Sequence, residues 1–230
     1  MNKYYSQYEQ DKFLNEVIFK NKKKGTFLDI GANDGITISN SYFFEKVLDW
    51  TGVCFEPQKE AFEKLQANRK SLNVNGCASD RTYTDIFYNV VGHGEMLSGL
   101  KSQYDKKHFE RIESTISEYG GSVFETNIQC YDVNEFLITN QIIDIDFVSL
   151  DTEGGELKIL KAIDLDVIKI KAVVIENNYA TNEILNYMQS KGFYRVAYLS
   201  TDEIYVNPIY YGKIRTLMLK LKLKISKLLK

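Results

Sequence analysis

Short apolar runs alternate along this chain with stretches whose apolar residues recur every three to four positions. Thr26-Phe27-Leu28-Asp29-Ile30 is the first run. It ends at a glycine-containing turn, as a buried strand does. Residues 39–48 predict a helix. Gly52-Val53-Cys54-Phe55 predicts a second strand, stopped at Glu56-Pro57 because proline has no N–H to give a central ladder. Residues 58–68 predict a helix with Ala61, Phe62 and Leu65 on one face. Residues 71–75 predict a third, weaker strand. The alternation resumes with a strand over 145–150 and a helix over 156–162. A fifth strand over 172–175 precedes a helix over 184–190, closed by Gly192. Residues 194–199 and 203–206 flank Ser200-Thr201-Asp202 as a terminal antiparallel hairpin.

Strands alternating with helices predict an α/β architecture: a Rossmann-like, doubly wound, mostly parallel sheet carrying that hairpin. A length of 230 residues suits one domain, here residues 1–208, with a tail over 209–230. Residues 92–123 break the alternation. They are polar and punctuated by glycine, and a long insertion in a compact domain is commonly functional. They are expected to form a lid or part of an acceptor site. In such sheets ligands bind beyond the carboxyl ends of the strands, so chemistry is sought there.

Four segments fall at those ends. Asp29-Ile30-Gly31-Ala32-Asn33-Asp34-Gly35 follows the first strand. Its glycines allow a tight strand-to-helix turn and close approach of a ligand. A dinucleotide loop places glycines at relative positions 0, 2 and 5. Here Asn33 stands where the second is needed, and no Gly-Lys-Ser/Thr follows to cradle phosphates. Asp29 and Asp34 suit an ammonium better than a pyrophosphate. Glu56, ending the second strand beside Pro57, is placed to accept hydrogen bonds from ribose hydroxyls. Asn75-Gly76-Cys77-Ala78-Ser79-Asp80 offers Cys77 and Ala78 as a slot for adenine and Asp80 as acceptor for its exocyclic amine. Asp80 reads equally well as a turn residue. Asp151-Thr152-Glu153-Gly154-Gly155-Glu156 gathers three carboxylates, which repel unless a cation or proton is shared. A helix start explains Glu153 and Glu156; it explains Asp151, at the strand end, less well.

Together with Tyr5-Ser6-Gln7 and Gln10-Asp11, these segments resemble the FkbM family of class I methyltransferases, over about residues 5–206. The resemblance implies S-adenosyl-L-methionine as methyl donor. It implies O-methylation as the usual reaction, frequently on sugars or polyketide-like products. The donor site so implied comprises Asp29, Gly31, Asn33, Asp34, Gly35, Glu56, Pro57, Cys77, Ala78 and Asp80. The rival class is a binding module of the same fold that keeps S-adenosylmethionine or a nucleotide without chemistry.

Methyl transfer to a hydroxyl needs the acceptor aligned and its proton removed. Candidate bases are Asp151, Glu153 and His93, the last in a glycine-flanked loop. His108 lies in a charged helical stretch and reads as a surface residue. A metal-assisted route would use Asp151 with Glu176 and Asn177 as oxygen ligands for Mg²⁺.

Charge refines the picture of partners. Residues 212–230 hold seven Lys or Arg and no acid, leaving 22 basic against 31 acidic side chains elsewhere. The acidic body argues against nucleic acid as a partner and leaves a small-molecule or glycan acceptor. In the tail, Ile214, Leu217, Met218, Leu221, Ile225 and Leu228 share a helical face, largely opposite Arg215, Lys220, Lys222 and Lys227. Such a helix suits peripheral contact with an anionic membrane. The three cysteines, Cys54, Cys77 and Cys130, form no CxxC pair and fit a reducing compartment. No stretch is long and apolar enough to span a bilayer. The expectation is a cytoplasmic enzyme that touches the inner membrane surface through its tail.

Overall fold

The computed structural model describes residues 3–212, apart from Asp105, Glu153 and Tyr179. Its strands in chain order are β1 (Thr26–Ile30), β2 (Thr51–Glu56), β3 (Leu72–Asn75), β4 (Cys77–Ser79), β5 (Tyr83–Val91), β6 (Gly99–Leu100), β7 (Ser122–Asp132), β8 (Asp144–Leu150), β9 (Lys169–Glu176), β10 (Tyr194–Leu199) and β11 (Asp202–Val206). The helices are α1 (Gln10–Phe13), running on as a π-helical turn over Leu14–Phe19, α2 (Tyr42–Leu48), α3 (Lys59–Asn68), α4 (Lys106–Tyr119), α5 (Val133–Thr139), α6 (Glu156–Ala162), α7 (Asn182–Ser190) and α8 (Pro208–Tyr211).

Seven strands form the main sheet in the order β10-β11-β9-β8-β1-β2-β3. The strands from β3 to β9 pair in parallel. The terminal hairpin folds back so that β11 pairs antiparallel with β9, leaving β10 at the edge. Both faces of the centre are covered, so β1 and β8 read as nearly continuous apolar runs. Leu28, Ile30 and Val148 enter one core with Val53, Phe55, Leu137 and Tyr205. Phe27 and Phe147 point the other way, into a core with Leu14, Phe43, Phe44 and Trp50. The period of two along a strand assigns neighbours to opposite cores.

Between β3 and β8 the chain departs from the expected alternation. Residues 76–80, beyond the third strand expected from the sequence, contain β4, which starts a second sheet of order β4-β7-β5-β6. β5 and β7 pair antiparallel over nine residues each, from Tyr83↔Cys130 to Val91↔Ser122. The stretch 92–123 is therefore the outer part of a larger excursion: it contributes β6, α4 and the first residues of β7. His108, expected at the surface, is buried on α4. Its Nε2 lies 3.1 Å from the Leu97 carbonyl, and its ring stacks on Tyr104. A stripe of Ile112 and Ile116 turns this face of α4 inward against Val90 and Leu97. The chain returns through α5, whose N-terminus is capped by the Asp132 side chain accepting from the Asn134 and Glu135 N–H groups.

Among the described residues no helix is long and apolar enough to cross a membrane. The tail over 213–230, with the amphipathic pattern noted above, lies outside the described residues.

Candidate active site

A cleft opens at the carboxyl ends of β1, β2 and β8. Its wall includes Asp29, Gly31, Asn33, Glu56, Pro57, Cys77, Ala78 and Asp151. Three of these segments end neighbouring strands of the main sheet, and Cys77 and Ala78 join them from β4 at the start of the second sheet.

The glycine loop is shaped by two close approaches. Gly31 has φ +87°, and a Cβ on it would stand 1.7 Å from the Asp151 carbonyl oxygen. The missing side chain thus lets the β1 and β8 ends touch, and the Asp151 N–H donates to the Ile30 carbonyl at 3.1 Å. Gly35, φ +80°, packs on Leu65 and Arg69, outside the cleft wall. Asn33 adopts a left-handed φ of +49°. Its N–H donates to Glu56 Oε2 at 2.8 Å, while Glu56 Oε1 accepts from the Gln58 N–H at 2.8 Å. Glu56 is 7% exposed, and burial pushes its carboxyl up to about 7 against those two N–H groups.

Beneath the loop lies a buried polar network that the sequence did not disclose. Ser41 Oγ donates to Asp29, and burial raises the Asp29 carboxyl above its ordinary range, opposed by the charge of Arg69. The Arg69 guanidinium donates to Glu45 Oε2 at 2.9 Å, to Ser41 Oγ at 2.9 Å and to the Gly35 carbonyl at 3.0 Å. It is sandwiched by the rings of Phe27 and Tyr42. One cation thereby ties α2, α3 and the glycine loop together. Thr37, Ser39 and Asn40 also line the cleft, and Asn40 Nδ2 donates to Ser149 Oγ at 3.1 Å. The only hint of their role in the sequence is the polar run Ser39-Asn40-Ser41 ahead of an apolar helix. The N-terminal motif braces this segment: Asp11 accepts from the N–H groups of Tyr5 and Ser6, and Ser6 bridges to Ile38.

The acid block after β8 is organised by Glu156. Its Oε1 accepts from the Thr152 N–H at 2.8 Å, the Thr152 hydroxyl at 3.1 Å and the Gly154 N–H at 3.0 Å. Glu156 therefore folds the turn, and Asp151 is the carboxylate of this block in the cleft wall. Glu153 lies outside the described residues.

The excursion roofs the cleft with Glu95, Met96, Ser98, Gly99, Leu100 and Gln103. Met96 Sδ meets Asn33 Nδ2 at 3.5 Å, and Gln103 lies against Gly155, so the roof spans from glycine loop to acid block. Besides Gly35, three candidate residues stand away from the wall: Asp34, Asp80 and His93. Asp34 accepts from the Ile36 N–H, the Thr37 N–H and the Thr37 hydroxyl. Burial acts to raise its carboxyl, but these donors prevail and lower it. Asp80 is exposed and bonded by Ser79. His93 stacks on Tyr119, its ring centroid 4.5 Å away.

The metal reading meets an obstacle at Asn177. Its Nδ2 donates to the Thr181 carbonyl and to Glu203, and its Oδ1 accepts from the Thr181 N–H. Glu176 and Asn177 line a recess separate from the cleft that holds Asp151. Among the described residues no three His, Cys, Asp or Glu side chains gather as a metal site.

A parallel sheet extended by an antiparallel strand between β9 and the edge, with a glycine loop after β1 and an acid ending β2, is the class I methyltransferase fold. The family model described as the methyltransferase FkbM domain matches residues 29–194. The chain belongs to this family of S-adenosylmethionine-dependent methyltransferases. No curated protein matches it. Among solved structures it is similar to M. capricolum TrmK in complex with S-adenosyl-homocysteine, at 13% identity and a TM-score of 0.39. That match covers 84% of this chain but 65% of that one, less than two thirds of its length. The delta-N METTL16 methyltransferase domain is similar at 12% identity over 85% of this chain and 78% of that one, TM-score 0.38. A human methyltransferase 10 domain containing protein is similar at 11% identity over 86% of this chain and 80% of that one, TM-score 0.38.

Proposed function

We propose that the protein is an O-methyltransferase that acts on a hydroxyl of a carbohydrate or similarly polar acceptor. The observation that carries this reading is the single cleft holding Glu56 at one end and Asp151 at another, under a roof built by the excursion. When bound, S-adenosylmethionine supplies an electrophilic methyl group on a sulfonium. Glu56 accepts hydrogen bonds from the ribose hydroxyls with the lone pairs its two backbone donors leave over. Pro57, Cys77 and Ala78 enclose the adenine. Gly31, Asn33 and the Asp29 network face the amino-acid end, where negative charge suits an ammonium.

Asp151 acts on the acceptor. Its carboxylate takes the hydroxyl proton as the new C–O bond forms and the C–S bond breaks, so no free alkoxide is needed. Met96 and Gln103 hold the roof over both reactants and keep water from competing. The cationic segment over 213–230 fits the surface of an anionic bilayer, which suits a lipid-linked glycan as acceptor. Co-sedimentation with phosphatidylglycerol vesicles, with and without that segment, tests this part.

The test of the whole is binding followed by transfer. S-adenosylmethionine and S-adenosylhomocysteine should bind in calorimetry while NAD does not. Isotope-labelled methyl should then appear on glycans, as mass spectrometry of cell extracts would show. Donor binding with label only on nitrogen, or with none transferred to any extract, would remove the O-methyltransferase reading.

A further inference from the structure

β4 and β7 run parallel, and their register places Cys77 directly opposite Cys130. Register partners on adjacent strands point to the same face, and the strands lie about 4.8 Å apart. A disulfide needs Cα atoms roughly 4.4–6.8 Å apart, so the backbone already meets this requirement. The two side chains pack together with Phe87 and Leu100. Their thiols also interact, which raises the Cys77 thiol and lowers that of Cys130. Cys130 is fully buried, whereas Cys77 is 9% exposed and lines the cleft, through which a small oxidant reaches the pair. Nothing in the proposed transfer chemistry uses a thiol.

We infer that Cys77 and Cys130 are a reversible oxidation site, closing into a disulfide when a peroxide enters the cleft. Cys130, the more readily ionised thiol of the pair, takes one peroxide oxygen as a sulfenic acid, and water leaves. The Cys77 sulfur attacks that sulfur, the S–S bond forms, and the oxygen departs as a second water with the remaining thiol proton. Two electrons pass from the two sulfurs to one peroxide. A bridge directly between neighbouring strands has little freedom to relax, and constrained disulfides are the readily reduced ones. The consequence for the donor rests on the proposed function. Closing the bridge draws the Cys77 sulfur towards Cys130 and out of the adenine wall, so donor affinity falls several-fold.

Cys54 is a built-in control. It is buried in the other core beside Ser71, and burial pushes its thiol up to about 12. The full chain is treated with hydrogen peroxide, its remaining thiols are blocked by alkylation, and peptides are analysed by mass spectrometry. A linked Cys77–Cys130 peptide, lighter by two hydrogen atoms and released by dithiothreitol, is expected, with Cys54 unlinked. Two free thiols, a bridge to Cys54, or over-oxidation without a bridge would overturn the inference. Cys130→Ser should abolish the link and make S-adenosylhomocysteine affinity insensitive to peroxide; Cys130→Ala serves if the serine variant does not fold. A link in a protein that binds S-adenosylhomocysteine in neither redox state supports the oxidation site and counts against the proposed function instead.

Discussion

After β1 and β2, the candidate donor-site carboxylates are engaged by the protein itself: Asp29 by Ser41 and Arg69, Asp34 by its own loop, Glu56 by two backbone N–H groups. After β8, Glu156 is engaged in folding the turn from the start of α6, and Asp151 lines the same cleft as Asp29 and Glu56. In the first region the carboxylates tie several segments together. In the second, the Glu156 carboxylate folds its own turn. Acids gathered at a sheet's mouth therefore need not share one purpose.

The contrast is most severely broken at Arg69. Arg69→Ala leaves the buried Asp29 and the half-buried Glu45 without their cation, and should destabilise the protein by about 3–5 kcal/mol. The midpoint and slope of urea unfolding check this; an unchanged midpoint would show that the network is not holding the loop. On the other side, Asp151→Asn keeps the shape and removes the proposed base. Turnover should fall by about 10²–10⁴ while stability and donor affinity stay near wild type. A variant with normal turnover returns Asp151 to a purely structural place.

Glu56→Ala should weaken donor binding by about 2–4 kcal/mol through two lost charge-assisted bonds. Its pH dependence sharpens the point. Burial holds the free carboxyl near 7, whereas ribose hydroxyls bind the ionised form. Affinity should be greatest above pH 7 and fall roughly tenfold between pH 8 and pH 6, with the slope absent in Glu56→Gln. A flat calorimetric profile in the wild type would place the ribose elsewhere. The smallest effect is expected at His93. It stacks on Tyr119 away from the wall, so His93→Ala should change turnover by less than about twofold, against the 10²–10⁴ of a true base. A large loss would transfer the base role from Asp151 to His93 and imply that the roof rearranges in the working complex.

The residues of the main sheet were legible because burial on two faces imposes a local signature. Phe27-Leu28-Asp29-Ile30 and Phe147-Val148 serve opposite cores at successive positions, so each appears as an apolar run. Strand ends, and with them Gly31, Glu56 and Asp151, followed from that alone. The second sheet carried no such signature. Residues 122–127 of β7 are exposed, β4 is three residues long, and their pairing joins positions some fifty residues apart. Only the folded chain decided that His108 is buried, that Asp34 caps its own loop, and that Arg69 reaches the glycine loop from the end of α3. Periodicity reports what one segment does against an average interior. Which polar groups satisfy one another across segments depends on distances of a few ångströms, and these exist once the sheet has set its neighbours side by side.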